Sequence, residues 1–362
     1  MDHTYAVIMA GGSGTRLWPK SRKRQPKHIL PLFNDRTLFH LTIDRLEGLV
    51  TYDHILVVTT REQVDQLRLL VPKIPAGNFL VEPVPRGTAS VVGLAAMVLQ
   101  RQDPEAVMMV LPADHFIQDR ELFHLVMRVA VGIAKNKFLV TLGISPTFPS
   151  TGYGYIERGE LLQGQYDFPV YLVKKFKEKP DLEQARLLFD QGEHSWNSGM
   201  FIWRVDRILD EFTRQMPDLK SSLDRIGLAW DSVEHEKTLN ETWQTITPET
   251  IDYGIMEGAE NVAILPASGL GWSDVGSWDV LFDVLKPDSE GNLLVNSNPL
   301  LIDTHNSLIY GNQDGRLIAT IGIEGLIIVD AGDALLICHK DQAQHVRRII
   351  ELLKNTDRNI YL

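Results

Sequence analysis

Near its start the chain reads Met9-Ala-Gly-Gly-Ser-Gly-Thr-Arg-Leu-Trp-Pro-Lys-Ser-Arg-Lys-Arg-Gln-Pro-Lys-His28, directly after a short apolar run. Six Lys and Arg residues fall between Arg16 and Lys27, and no Asp or Glu occurs from His3 to Asn34. The whole chain nevertheless has a formal net charge of -11. A local cationic segment in an acidic protein indicates a small anionic ligand, and the glycines indicate that this ligand comes close to the backbone.

The composition is that of an ordinary globular protein, with 44% hydrophobic and 23% charged residues among 362. The acidic balance argues against nucleic acid or an anionic membrane as a partner, because both would need a broad basic surface. A single cysteine, Cys338, excludes an internal disulfide and is compatible with a reducing compartment. Neither a signal peptide nor a membrane-length apolar stretch is visible, so we expect a cytoplasmic protein.

The first part of the chain alternates apolar runs with segments of helical spacing. The runs rich in Val, Ile and Leu are residues 5–10, 54–60, 79–82, 106–111 and 138–144. Residues 120–136 have apolar side chains at helical spacing, and further helices are predicted near residues 89–100, 182–191 and 205–215. This alternation predicts an α/β fold, a parallel sheet covered by helices whose ligands bind at the carboxyl ends of the strands.

The last part of the chain has short β-type runs separated by Asn, Asp and Gly at intervals of about 8–10 residues. This spacing is compatible with a small sandwich or with a β-solenoid. A final helix is predicted after Asp341, which is a candidate N-cap, with Val346, Ile349, Ile350 and Leu353 on its apolar face. The turn-rich stretch between residues 286 and 292 predicts domains at 1–286 and 292–362.

The glycine loop fits neither of two common phosphate-binding patterns. A Walker A loop needs Lys followed by Ser or Thr after its last glycine, whereas Gly14 is followed by Thr15 and Arg16. A dinucleotide fingerprint would need a third glycine where Leu17 stands, which argues against a nicotinamide dehydrogenase. A tight turn without a ligand and a solvated charged surface remain the simpler alternatives. The glycines and the nearby cations together favour a triphosphate site.

These residues carry a resemblance. The segment from Gly11 to Arg22, followed by Pro26-Lys27, resembles the signature of the sugar-1-phosphate nucleotidyltransferases, most closely the mannose-1-phosphate guanylyltransferase branch. The resemblance implies a Rossmann-like mixed sheet flanked by helices, with a small C-terminal left-handed β-helix-like domain ending in a helix. It also implies catalytic roles for Arg16 and Lys27. The residues that it assigns to nucleotide binding in this segment are Gly11, Gly12, Ser13, Gly14, Thr15 and Arg22.

Two aspartates are candidate metal ligands. Asp114 follows an apolar run in Leu-Pro-Ala-Asp-His, and Asp274 lies within Trp-Ser-Asp-Val-Gly-Ser-Trp. Carboxylates are the ligands that Mg²⁺ prefers, although each aspartate is also explained as an ordinary turn or N-cap residue. By the resemblance, both bind Mg²⁺ or another divalent cation. His115 has either a supporting or a packing role.

The base pocket is expected around Glu82-Pro-Val-Pro-Arg-Gly-Thr-Ala89. A carboxylate can accept two hydrogen bonds from guanine, so Glu82 is a candidate guanine-binding residue, and its alternative is a surface pair with Arg86. Thr88 and Ala89 are further candidates for nucleotide binding. The chain departs from the family pattern at Gly87, where Asn is usual, and at Ser90, where Pro is common.

The sugar-phosphate pocket is implied by Thr151-Gly-Tyr-Gly-Tyr155, Phe176-Lys-Glu-Lys-Pro180, Trp196-Asn-Ser-Gly-Met200 and the segment from Thr250 to Glu257. Without the resemblance, an exposed strand edge would explain the charges at residues 174–179. The tryptophans Trp18, Trp272 and Trp278 are expected to shape the site by packing. By the resemblance, the sugar-phosphate-binding residues are Gly154, Glu178, Lys179, Asn197 and Asp252.

The resemblance implies an enzyme that transfers GMP from GTP to mannose 1-phosphate, giving GDP-mannose and pyrophosphate by in-line attack at the α-phosphorus. The alternatives are guanylyl or uridylyl transfer to another hexose 1-phosphate, and a non-catalytic subunit that senses nucleotide sugars. The last residues lack a compact metal cluster, so we expect no phosphomannose isomerase activity. Relatives often dimerise, so a homodimer is a further expectation.

Overall fold

The structure is a computed structural model that describes residues 2–12, 14–22, 25–33, 36–312 and 316–362. Its strands are β1 (Thr4–Ala10), β2 (Pro31–Phe33), β3 (Arg36–Thr37), β4 (Ile55–Thr60), β5 (Phe79–Glu82), β6 (Val107–Pro112), β7 (Phe116–Ile117), β8 (Leu139–Ile144), β9 (Tyr155–Leu161), β10 (Tyr171–Lys177), β11 (His194–Arg204), β12 (Val262–Pro266), β13 (Trp272–Ser273), β14 (Leu293–Val295), β15 (Leu300–His305), β16 (Leu308–Tyr310), β17 (Ala319–Glu324), β18 (Leu326–Asp330) and β19 (Leu335–His339).

Its α-helices are α1 (Leu38–Asp44), α2 (Val64–Leu70), α3 (Thr88–Gln102), α4 (Arg120–Ala134), α5 (Leu182–Gln191), α6 (Val205–Gln215), α7 (Pro217–Ala229), α8 (His235–Thr245), α9 (Ile251–Gly254), α10 (Leu281–Val284) and α11 (Val346–Asn355). The residues at several helix ends are types that favour helix capping. The Asp119 and Asp181 side chains accept hydrogen bonds from backbone N–H groups in the first turns of α4 and α5, and α5 ends at Gly192 with φ 70°. No helix in the described ranges combines the length and apolar character that crossing a membrane requires.

The chain divides into two compact units, each built from separate stretches. Unit 1 contains Met1–Gly11, Leu46–Pro112 and Asp119–Leu270, and unit 2 contains Gly12–Arg45, Ala113–Gln118 and Gly271–Leu362. Each unit groups residues that contact one another, whereas the boundary predicted between residues 286 and 292 came from the turn-rich sequence there. That boundary stays a prediction.

Unit 1 is built on a nine-stranded mixed sheet with the order β5-β4-β1-β6-β11-β8-β12-β10-β9 in the described residues. The strands β5, β4, β1 and β6 are parallel, and β12 is parallel to β8. The five apolar runs of the first part of the sequence are confirmed as strands. β11, however, lies antiparallel between β6 and β8, which the local sequence pattern did not predict. Helix α3 is buried along most of its length and contributes to the core of this unit, as Trp203, Phe212 and Trp243 do.

Unit 2 contains the tail strands in a solenoid arrangement. β14 pairs with β16 and β16 with β18, all in parallel, while β15 pairs in parallel with β17. Alternate strands therefore stack on one another, so the sandwich alternative is wrong and the β-helix-like expectation is confirmed. Asp341 is not the N-cap of the final helix, because it lies in a 3-10 turn (Lys340–His345) and α11 begins at Val346. Val346 and Ile350 are buried in the core of this unit.

Candidate active site

The side chain of Lys27 contacts both predicted metal ligands, Asp114 and Asp274, in unit 2. Lys27 is only 5% exposed. Its Nζ lies 2.8 Å from Oδ2 of Asp114 and donates a hydrogen bond to the backbone carbonyl of Asp274. One ammonium group thus joins its own stretch of unit 2 to the two other stretches of that unit. We call Gly14, Arg16, Lys27, Asp114 and Asp274 the cation–carboxylate cluster.

Glycine is required at position 14 for two reasons. Its φ of 49° is in the left-handed region, which L side chains rarely adopt. A Cβ atom there would lie 2.7 Å from the Cβ atom of Lys27, closer than carbon atoms normally approach. The glycine therefore lets the loop turn tightly over Lys27.

Arg16 and Asp274 approach the same point in unit 2. A Cβ atom on Gly276 would lie 3.0 and 3.1 Å from the carboxylate oxygens of Asp274 and 3.2 Å from Nη1 of Arg16. Gly276 thus leaves room for a cation and a carboxylate side by side. Sequence reasoning did not assign a role to Gly276, although it lies inside the Trp272–Trp278 motif.

His115 and Arg45 support the cluster from its buried side. Trp272 Nε1 donates to His115 Nδ1 at 3.2 Å, so the proton of the neutral ring lies on Nε2. Burial lowers the pKa of His115 to about 4, which keeps the ring neutral. Arg45 is buried and donates to the His115 carbonyl at 2.8 Å. Sequence reasoning missed Arg45, which follows Asp44 in the sequence and resembles any other charged residue at the end of a helix.

The two aspartates have the chemistry that a divalent cation needs. Burial acts to raise the pKa of Asp114, but Lys27 beside it outweighs this effect and holds the pKa well below its usual range. Ionised carboxylate oxygens suit Mg²⁺, and two of them leave coordination positions for water and phosphate oxygens. No group of three or more His, Cys, Asp or Glu side chains suited to a metal occurs in the ranges described above. Two carboxylates are fewer ligands than Mg²⁺ takes, so a cation held here would need further oxygens from water or from a phosphate.

Arg22 has a different environment from Arg16. Its guanidinium pairs bidentately with Asp333 of the tail at 2.8 and 2.5 Å, and its Nε donates to the Pro19 carbonyl at 2.9 Å. These bonds already occupy the Arg22 guanidinium. The predicted contact between Arg22 and the nucleotide stays a prediction. Thr15 begins a 3-10 turn (Thr15–Leu17), and no described atom approaches a Cβ placed on Gly12 within 4 Å. Ser13 lies outside the described residues.

Glu82 is the buried carboxylate of unit 1. It ends β5 and is 2% exposed, so the alternative of a surface ion pair is wrong. Burial raises the pKa of Glu82 to about 7. Its Oε2 atom has no hydrogen-bond partner in the part of the chain that the structure describes. The Arg86 guanidinium instead donates to the Gln244 carbonyl at 2.7 Å. Glu82 therefore retains a free acceptor oxygen.

Thr88 and Ala89 begin α3 and contact the segment before Asp252. The Thr88 hydroxyl accepts a hydrogen bond from the Ile251 N–H at 2.9 Å, and the Ala89 N–H donates to the Glu249 carbonyl at 3.2 Å. Gly87 has φ 83°, and the Glu249 carbonyl occupies the place of its missing Cβ atom. The glycine that departs from the family pattern therefore allows this close backbone contact.

The five residues predicted to bind the sugar phosphate lie together in unit 1. The Asn197 amide donates to Asp252 at 2.6 Å, and the Asn197 backbone N–H donates to the Gly154 carbonyl at 2.8 Å. The Glu178 carboxylate occupies the place of a Cβ atom on Gly154, and Lys179 Nζ lies 2.7 Å from Glu178. We call Gly154, Glu178, Lys179, Asn197 and Asp252 the sugar-phosphate cluster.

Asp252 is the buried acid of this cluster. Burial and the nearby charge of Glu178 raise the pKa of Asp252 to about 6, against the effect of the Asn197 hydrogen bond. Two carboxylates, an amide and an ammonium group thus provide both acceptors and donors. Such a set suits a ligand with several hydroxyl groups and one anionic group.

Comparisons with known proteins agree with this architecture. Residues 5–291 match the nucleotidyl transferase family model, and residues 297–353 match the mannose-phosphate isomerase/GMP-like β-helix domain. The chain is 36% identical to the mannose-1-phosphate guanylyltransferase of Escherichia coli K12, over 98% of this chain and 74% of the relative. It is 38% identical to the enzyme of the same name from Klebsiella pneumoniae, over 98% of this chain and 75% of the relative.

A solved structure is also similar. The protein from Thermus thermophilus titled mannose-1-phosphate geranyltransferase has a TM-score of 0.86 and 34% identity, with 97% of this chain and 99% of that chain covered. The likeness therefore extends over both family-model regions. The chain belongs to the nucleotidyl transferase family, in the branch of the mannose-1-phosphate guanylyltransferases.

Proposed function

We propose that the protein transfers GMP from GTP to mannose 1-phosphate, forming GDP-mannose and pyrophosphate. Relatives with 36% and 38% identity over 98% of the chain have the corresponding name. The observation within this chain that carries the choice of guanine is the buried Glu82 carboxylate with its free acceptor oxygen. Guanine offers two adjacent N–H donors to a carboxylate, whereas adenine and uracil do not offer that pair.

The reaction joins two anions. An oxygen of the mannose phosphate attacks the α-phosphorus of GTP, a new P–O bond forms, and the bond from the α-phosphorus to the bridging oxygen breaks as pyrophosphate leaves. Because the attacking oxygen is already ionised, no side chain has to remove a proton. Catalysis then consists of alignment and charge neutralisation, which the cations of the cation–carboxylate cluster supply.

Roles follow for the individual residues. Arg16 and Lys27 bind the phosphate oxygens of GTP, and the backbone N–H groups of the glycine loop approach the same oxygens. Asp114 and Asp274 would hold a divalent cation, which supplies charge neutralisation for the leaving pyrophosphate. In the sugar-phosphate cluster, Glu178, Asn197 and Asp252 accept or donate hydrogen bonds to mannose hydroxyls, and Lys179 binds the sugar phosphate. Gly154 lets the ring approach the backbone.

The test is pyrophosphate release with GTP, mannose 1-phosphate and Mg²⁺, with each component omitted in turn. Release that needs both substrates and falls at least about 100-fold in Asp274→Asn supports the proposal. Asp283→Asn is the matched control, because Asp283 is exposed in α10 of the same unit and should retain full activity. Release with UTP in place of GTP would overturn the guanine assignment. Tight binding of GDP-mannose without any release would favour the sensing subunit.

A homodimer is the second proposal for this chain, and it is supported by an apolar strip on the tail. Ile302 and Ile321 are register partners in β15 and β17, and they are 56% and 70% exposed. We expect a dimer in sedimentation velocity and a shift toward monomer in Ile321→Glu. A wild-type protein that is monomeric at micromolar concentration would contradict this. The cytoplasmic location expected from the sequence stays a prediction.

A further inference from the structure

A cleft in unit 1 lies apart from both clusters described above. Its volume is about 530 Å³, within the range that small ligands occupy in proteins. The floor contains Tyr155, Glu157 and His194 of β9 and β11, and helix α5 covers one side. Lys175 and Lys177 of β10 form part of the rim. None of these residues has a role in the proposed reaction.

The cleft is lined by immediate chain neighbours of two residues of the sugar-phosphate cluster, at the first residue of β9 and the last residue of β10. Tyr155 lines the cleft while Gly154 belongs to the cluster, and Lys177 lines the cleft while Glu178 belongs to the cluster. Tyr155 is also the register partner of Lys177. An occupant of the cleft would therefore contact residues next to two members of the cluster, and β11 contributes His194 to the cleft and Asn197 to the cluster.

Two buried polar groups in the floor point to a ligand. The Tyr155 hydroxyl and Nδ1 of His194 have no hydrogen-bond partner within the described ranges, and the two residues are 0% and 7% exposed. Such atoms are rare in folded proteins, because leaving a buried polar group unpaired costs about 1–3 kcal/mol. The His194 ring also interacts with the Leu188 carbonyl, and burial lowers its pKa. A neutral ring that donates to this carbonyl through Nε2 presents Nδ1 as an acceptor for a hydroxyl group.

The remaining lining sets the charge of the ligand. Lys175 and Lys177 have exposed ammonium groups at the rim. Among the described lining residues the one acidic group, Glu157, already pairs with Lys174, which does not line the cleft. The uncompensated charge is thus positive and suits a phosphate group. Gln184 and Gln191 of α5 add amides for hydroxyl groups, and Leu187 adds an apolar wall.

We propose that this cleft binds a compact sugar phosphate, with the phosphate at Lys175 and Lys177 and the hydroxyl groups toward His194 and Tyr155. The ligand differs from the substrates of the proposed function in its site of binding. Its occupancy alters the KM for mannose 1-phosphate, because both sites include residues of β11 and adjacent residues at the ends of β9 and β10. This effect on KM rests on the proposed function, whereas binding itself does not.

The experiment is calorimetric titration of glucose 6-phosphate into the full chain with saturating GDP-mannose present, which keeps the proposed active site filled. The double variant with Lys175→Met and Lys177→Met is the test variant, and Lys135→Met is the matched control, because Lys135 is an exposed lysine of the same unit that does not line the cleft. We expect one site in wild type and control, and affinity at least about tenfold weaker in the test variant, because a charged hydrogen bond to phosphate is lost. Circular dichroism establishes that all three proteins are folded.

Three other results would overturn the proposal. They are an absence of binding heat at millimolar concentration, equal affinity in the test variant and the control, and equal affinity for inorganic phosphate alone, which would leave no role for the sugar. Binding of GMP in preference to glucose 6-phosphate would replace the ligand class with a nucleotide. In the pyrophosphate assay, glucose 6-phosphate should change the KM for mannose 1-phosphate in wild type and Lys135→Met only. Should the enzyme prove inactive, the titration still decides whether the cleft binds.

Discussion

The carboxylate of Glu82 occupies the space that a side chain on Gly11 would need, since its Oε1 atom lies 2.6 Å from the position of a Cβ atom on residue 11. A methyl group at that position must displace the carboxylate that we assign to guanine. The glycine that follows β1 therefore has a specific partner at the end of β5. The neighbouring Gly12 differs from Gly11, because a Cβ atom on Gly12 would meet no described atom within 4 Å.

We expect Gly11→Ala to raise the KM for GTP at least about tenfold, because one displaced charged hydrogen bond is worth that much. Gly132→Ala should change this KM by less than about twofold, since Gly132 is exposed in α4, a Cβ atom there meets no described atom within 4 Å, and the residue has no role in the proposed site. Steady-state kinetics of the two variants, with Tm measured alongside, checks the pair. Equal KM values for GTP in the two variants would remove Glu82 from the nucleotide site.

The second prediction concerns the stability of the protein as a function of pH. Burial raises the pKa of Glu82 from 4.5 to about 7 in the folded state, so the folded state holds the proton more tightly than the unfolded chain. This contribution to stability is complete below pH 4.5 and is lost as the pH rises to about 7. Relative to wild type, Glu82→Gln should therefore be more stable at pH 8 than at pH 5. Urea denaturation at the two pH values measures the difference, and a constant difference would contradict the raised pKa.

The third prediction concerns GTP affinity and the same carboxyl group. Guanine donates one hydrogen bond to each of the two carboxylate oxygens of Glu82. The ionised form of Glu82 can accept both and binds GTP, whereas the protonated form has a hydroxyl group on one oxygen and does not. We expect the affinity of the wild type for GTP to rise with pH through about 7. The phosphate groups of GTP titrate equally in both proteins, so the ratio of affinities between wild type and Glu82→Gln isolates Glu82. A ratio that stays constant from about pH 5.5 to about pH 8.5 would argue against guanine binding by this residue.

The fourth prediction concerns the ion pair between Lys27 and Asp114. Asp114→Asn leaves the ammonium group of Lys27 buried without its charged partner. We expect a loss of about 1–3 kcal/mol in the free energy of unfolding, less than for a fully buried pair because the Asp114 side chain is 36% exposed. Asp44→Asn is the control in the same unit, since its pair with Arg36 is exposed and should contribute less than about 0.5 kcal/mol. Chemical denaturation of both variants measures the two losses in free energy of unfolding. Equal losses would show that the burial of Lys27 does not make its ion pair more important for stability than the exposed pair.

The fifth prediction concerns the Thr88 hydroxyl, which accepts the hydrogen bond from the Ile251 N–H. Thr88→Val removes this acceptor next to Asp252, whereas Thr88→Ser retains it. We expect Thr88→Val to raise the KM for mannose 1-phosphate by about threefold to tenfold, and Thr88→Ser to restore the wild-type value. Initial rates at varied mannose 1-phosphate and saturating GTP test this. A change confined to kcat, or no rescue by serine, would mean that Thr88 does not position Asp252.

Local patterns predicted much of the secondary structure, because the segments concerned bury apolar side chains at the regular spacing of a strand or a helix. The run at residues 79–82 and the helices at 182–191 and 205–215 have the predicted bounds, since each has a clear apolar pattern and definite ends. The insertion of β11 between β6 and β8 was not predictable, because pairing partners depend on contacts between distant residues. The choice between sandwich and solenoid was open for the same reason, and the parallel stacking of alternate strands decides it.

The candidate site was predictable where a motif specifies chemistry and unpredictable where packing selects the residue. The members of the sugar-phosphate cluster are more than 50 residues apart in some pairs, yet their contacts agree with the motifs. Arg45 and Gly276 gave no comparable signal, because their importance depends on which side chains pack against them. The environment of Arg22 was also unpredictable, since its partner Asp333 is 311 residues away.

The composition of unit 2 has a consequence for how the protein is made. Trp18, next to the glycine loop, donates its indole N–H to the carbonyl of Tyr361, which is 343 residues later in the chain. At about 5–20 residues per second, a ribosome needs roughly 17–70 s to synthesise the intervening chain. During that interval Leu17 and Trp18 lack their tail partners in the core of unit 2. The nascent chain therefore carries an apolar and strongly cationic segment whose partners in the core have not yet been synthesised.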